Sequence, residues 1–137
     1  MATTKAYSTQ LIASYILALQ FAKTREEITE EQCDAYIKEL QTLPEKLEKI
    51  LEDKERLQWF ASKQANAKDI FFIGRGIDYA ISLEGSLKMK EISYIHSEAY
   101  AAGELKHGTI SLVEDGTLVI GILTQNHLCL LYTSPSP

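Results

Sequence analysis

The chain has 137 residues, 45% of them hydrophobic and 24% charged, a balance that excludes a disordered or fibrous protein and fits globular structure. Its formal net charge of −5 argues against a general polyanion or nucleic-acid binder, which needs clustered Lys and Arg, but one small bound anion needs only a single local site. Polar residues interrupt each apolar run well short of the ~18 residues of a membrane span, so no membrane partner is expected.

From Lys5 to Lys23 the apolar residues Leu11, Ile12, Tyr15, Ile16, Ala18, Leu19 and Phe21 recur at helical spacing. They predict one long helix, broad-faced enough to be well buried. It starts within a few residues of Met1, with no preceding layer to pack on. Thr29, followed three residues later by Gln32, has the pattern of a capping box, and the helix it opens is expected to run to about Leu40 and break near Pro44. Pro44 to Lys63 reads as a third helix. Its Glu and Lys residues form a solvated face laced with i,i+4 pairs, and Leu47, Ile50, Leu51, Leu57, Trp59 and Phe60 form its apolar side. Trp59 is expected to pack rather than to hold a ligand. Three successive helices have the look of a connector between larger units.

The pattern changes at Lys68. Asp69–Ile73 is a short, bulky, mostly apolar run closed by Gly74-Arg75-Gly76, as in a strand of a parallel sheet buried on both faces. A helical pattern follows from about Tyr79 to Tyr94, then an irregular stretch, then a second buried strand over Thr117–Ile122. Strand, helix, loop and strand predict an α/β fold with a parallel sheet, opened here by a βαβ unit. Residues 125–137, ending Ser134-Pro135-Ser136-Pro137, add no further helix and read as a truncated or non-native tail.

On the helical wheel Glu84, Lys88 and Glu91 share one face, flanked by Ala80, Leu83 and Leu87 on one side and Ile81 and Ile92 on the other. Ser82, Ser86, Lys90 and Ser93 fall on the side expected to point outward. Surface helices seldom set charges between two apolar arcs. Two readings stand: weak ion pairs along the helix, or a cleft in which a neighbouring ammonium tunes a carboxylate base. Gly74-Arg75-Gly76 lies at the carboxyl end of a strand, where α/β sheets bind ligands. It is open to an anion-binding reading or to that of a plain βα turn, and the dinucleotide fingerprint is excluded because position 79 is Tyr. His107, in the polar stretch between Gly103 and Gly108, is either a solvent-exposed residue or a general acid titrating near neutrality. His96, His107 and His127 lack metal-ligand spacing, Cys33 and Cys129 are expected as unpaired thiols, and MATTKAYSTQ lacks the layout of a signal peptide. A cytoplasmic protein is expected.

Taken together, TTKAYSTQ, FFIGRG and LEGSLKMKEISYIHSEAYAAGELKHGTISL resemble the isomerase region of the glutamine–fructose-6-phosphate aminotransferase family, built from SIS domains. The resemblance covers about Ala2 to Leu123. It implies the end of a first SIS domain over 1–25, a helical connector over 26–67 and the start of a second SIS domain over 68–124. It further implies amino-sugar synthesis from fructose 6-phosphate to glucosamine 6-phosphate in a homodimer, with neither metal nor pyridoxal cofactor. Glu91 would move a proton between C1 and C2 of an open-chain imine, and His107 would assist ring opening across the subunit interface. Lys88 would orient or tune Glu91, and Arg75 and Glu84 would line or support the site. The cysteine nucleophile that releases ammonia, the Ser/Thr-rich phosphate loops and the Schiff-base lysine are expected outside this chain, which is therefore expected to be inactive alone. The competing readings are a non-catalytic phosphosugar-binding SIS module and a phosphosugar isomerase without amination.

Overall fold

The structure, a computed structural model, describes residues 3–125. It divides into two compact units, one over Thr3–Lys63 and one that begins at Gln64.

The first unit is helical: α1 (Thr4–Thr24), α2 (Glu30–Gln41), α3 (Leu43–Leu51) and α4 (Lys54–Lys63). The start of α2 follows from its cap. Thr29 Oγ1 accepts from the Gln32 N–H at 3.2 Å and the Thr29 N–H donates to Gln32 Oε1 at 2.9 Å, so two helix-end donors are satisfied reciprocally. Pro44 stands in the first turn of α3, where its missing N–H costs nothing. The single helix expected over 44–63 is instead two. At Asp53 the N–H turns back to the Ile50 carbonyl at 3.3 Å, its own carbonyl opens α4, and its carboxylate pairs with Arg56 at 2.8 Å. Asp favours such starts over helix interiors.

Burial in this unit also differs from expectation. The helix α1 is not well buried: Phe21 is 65% exposed. Its main neighbour within the unit is α2, and one neighbour covers one stripe, here Tyr15, Ala18, Leu19 and Ala22 facing Tyr36 and Leu40 across an apolar groove. Trp59 is exposed rather than packed, with the Lys63 ammonium 5.7 Å from its ring centre. Cys33 is a buried free thiol; the expectations for Cys129, His127 and the tail lie outside the described residues.

The second unit contains β1 (Asp69–Gly74), α5 (Ile77–Ser93), β2 (His96–Ala101), two 3-10 turns (Leu105–His107 and Thr109–Leu112) and β3 (Leu118–Gly121). The sheet order is β2-β1-β3, all parallel, with Ile70 opposite both Ser97 and Leu118. Ile70, Phe71 and Phe72 form the core, as their unbroken apolar run requires of a central strand. The strand β2 falls in the stretch expected to be irregular. Its sequence, HSEAYA, pairs small with polar residues and lacks the bulky apolar signature. Pairing with β1 makes it a strand.

The helix α5 begins at Ile77 rather than Tyr79, and its orientation corrects the wheel. Ser82 and Ser86, expected to point outward, are buried, whereas Leu83 and Leu87 are about half exposed. The cause is close approach of helix to sheet. A Cβ on Gly85 would come within 3.1 Å of the Phe72 ring, and small side chains at 82, 85 and 86 make that separation possible. Lys90 and Ser93 are exposed as expected.

Candidate functional site

The carboxyl ends of β1 and β2 open onto a cleft of about 620 Å³ edged by Arg75, Gly76, Tyr79, Gly103, Glu104 and Lys106. The turn that carries Arg75 depends on its glycines. A Cβ on Gly74 would lie 2.4 Å from the carbonyl carbon and oxygen of Asp78, which no side chain tolerates. Gly76 adopts φ 59°, a backbone conformation that suits glycine. The Ala102 N–H donates to the Gly74 carbonyl at 2.9 Å and closes the cleft floor.

Along α5 the spacing of 84, 88 and 91 gathers three charges. Lys88 Nζ lies 2.7 Å from Glu91 Oε2 and 3.5 Å from Glu84 Oε1. The hydrogen bond to Glu91, helped by the charges of both carboxylates and opposed by desolvation, raises the Lys88 pKa above its ordinary value. Lys88 is thus a fixed cation at neutral pH, with its side chain only 17% exposed. Glu91 commits Oε2 to this contact, and its Oε1 has no partner among the described residues. One oxygen of the carboxylate is thus held by the ammonium and the other is open.

The structure therefore joins Glu84, Lys88 and Glu91, and sets Arg75 at the cleft. His107 closes a 3-10 turn directly after Lys106 and is exposed. Its ring forms no hydrogen bond or ion pair with Glu91 or Lys88. Sequence reasoning passed over Tyr79 and Lys106, which line the cleft, and Asp78, which is 3% exposed in the first turn of α5. An acidic residue there looks like an ordinary helix-start residue, so no signal set Asp78 apart. At the opposite edge of the sheet His96 bridges Asp69 at 3.0 Å and approaches Glu98 at 3.6 Å.

A parallel sheet with a glycine turn, and a cleft at its carboxyl edge, define an open α/β domain, the class that binds ligands at this edge. Residues 64–130 match the SIS domain family, and the second unit belongs to that family. Over 128 residues, 93% of its length, the chain is 57% identical to the isomerizing glutamine–fructose-6-phosphate aminotransferases of Caldanaerobacter subterraneus subsp. tengcongensis and of Clostridium tetani. It spans 21% of the length of those relatives, and so corresponds to a segment of such an enzyme. The solved C-terminal domain of glucosamine-fructose-6-phosphate aminotransferase from Francisella tularensis superposes with a TM-score of 0.89 at 37% identity, covering 93% of this chain and 36% of that one. The α/β fold expected from the sequence is thus that of a SIS domain. Among the described residues no helix is long and apolar enough to cross a membrane.

Proposed function

We propose that this segment supplies the proton-transfer residues of a cytoplasmic, homodimeric isomerizing glutamine–fructose-6-phosphate aminotransferase. Glu91 is the base. Its free Oε1 takes a proton from one of C1 and C2 of the open-chain imine of the sugar phosphate and returns it to the other, so no net proton is gained or lost. Lys88 holds Oε2 and, as a fixed cation between two carboxylates, keeps the base oriented; Glu84 anchors Lys88 from the other side. Arg75 lines the substrate cleft. His107, exposed on this chain, reaches the sugar of the partner subunit and assists ring opening.

The observation that carries this reading is the Glu84–Lys88–Glu91 row, in a chain 57% identical to a segment of the aminotransferase. The test is Glu91→Gln in the complete enzyme that contains this segment. Isomerisation is expected to fall by about 10²–10⁴-fold, the usual worth of a general base, while sugar-phosphate affinity stays near that of the parent. Turnover at the parent rate would remove Glu91 as the base, whereas sugar-phosphate binding with no turnover in the parent itself would favour a non-catalytic phosphosugar-binding module.

A further inference from the structure

Among the described residues, the proposed chemistry leaves one buried carboxyl side chain, Asp78, without a role. Asp78 reaches away from its own helix end to residue 124, across 46 positions of sequence. Its Oδ2 accepts from the Thr124 N–H at 3.0 Å and its Oδ1 from the Thr124 hydroxyl, so both carboxyl oxygens are spent on one residue beyond β3. Its main chain is spent on the turn before α5. The Asp78 N–H donates to the Arg75 carbonyl at 3.1 Å, and the Asp78 carbonyl fills the space over Gly74 while accepting from Ser82 Oγ at 2.8 Å. Gln125, next to Thr124, donates through Nε2 to the same Arg75 carbonyl at 3.3 Å. The Arg75 turn is thereby held from α5 on one side and from the segment after β3 on the other.

We infer that Asp78 and Thr124 form a clasp that positions Arg75 at the cleft, making Asp78 a positioning residue for the sugar phosphate. This rests on the proposed role of Arg75 in lining the substrate site. A buried carboxyl must be fully hydrogen-bonded to be tolerated, so losing the Thr124 hydroxyl strains Oδ1 and loosens the turn. A purely structural link would lower stability alone. A positioning link changes substrate affinity through Arg75.

The experiment compares Thr124→Val, Thr124→Ser, Arg75→Met and the Thr124→Val/Arg75→Met pair in the complete enzyme, with fructose 6-phosphate as the probe. Thr124→Val keeps the residue's size and removes the hydroxyl, and it leaves the buried Asp78 carboxylate in place. It is expected to raise KM about tenfold, the scale of one hydrogen bond to a carboxylate, with kcat little changed. Thr124→Ser restores the parent KM. In the Arg75→Met background Thr124→Val adds no further rise, since the coupling runs through Arg75. A lowered melting temperature with unchanged KM, or effects that simply add in the pair, would overturn the proposal. If Arg75→Met itself leaves KM unchanged, the assignment of Arg75 to the site falls and the clasp's role with it. If Arg75→Met raises KM and Thr124→Val does not, the clasp alone falls.

Discussion

Ser86 and Ser97 each donate a hydroxyl hydrogen bond to the other's main-chain carbonyl, both at 2.8 Å, and so join α5 to β2 inside the second unit. Two buried hydroxyls satisfy each other's residues without any bulky side chain, which keeps the helix close to the sheet. Ser86→Ala or Ser97→Ala is expected to cost about 1 kcal/mol each. The double variant should cost less than the sum, because the two hydroxyls share one network. Urea unfolding of the four proteins checks this, and strict additivity would show the hydroxyls to be independent.

Gly74 is tied to Asp78 by space rather than by polarity. An added methyl group meets backbone atoms at 2.4 Å, and backbone does not yield as a side-chain tip does. Gly74→Ala is therefore expected to destabilise by about 1–3 kcal/mol, the range for overpacking, and to disturb the Arg75 turn. Equal urea midpoints for variant and parent would contradict that close approach.

At the start of α2, Thr29→Ala removes the hydroxyl that accepts from Gln32. The expected loss is about 1 kcal/mol. It should appear in amide hydrogen exchange as faster exchange confined to the first turn of α2, with β1 unaffected. Uniform acceleration across both units would instead indicate global destabilisation.

The Lys88–Glu91 pair predicts a pH dependence of definite sign. Hydrogen bonding and charge raise the Lys88 pKa in the folded protein, so folding favours the protonated amine. The associated stability is fully present below the unfolded-state pKa and is lost as pH rises through the higher, folded value. The difference in unfolding free energy between the parent and Lys88→Met should stay level on the neutral side and shrink in the alkaline range above the ordinary lysine value of 10.5. A difference that grew with rising pH would mean that the pair does not hold the proton.

How much of this architecture is legible in the chain depends on the range of the interactions. The Thr29–Gln32 cap, the β1 run with its glycine turn, and the shared face of Glu84, Lys88 and Glu91 are encoded within a few residues of one another. Helical and strand periodicities translate such spacings directly into geometry, so the chain on its own determined them. The family resemblance was legible for the same reason, through one long contiguous stretch.

Tertiary structure decided the rest. β2 is a strand because β1 lies beside it, not because HSEAYA prefers to be one. The wheel gathered Glu84, Lys88 and Glu91 on one face of α5 but turned Ser82 and Ser86 outward; the tight fit of Gly85 against Phe72 put those serines against the sheet instead. No pattern within the chain announces that Asp78 will reach Thr124. A hydrogen bond across 46 residues exists only once a parallel sheet has brought the ends of β1 and β3 to the same edge, and topology, not spacing, carries that information.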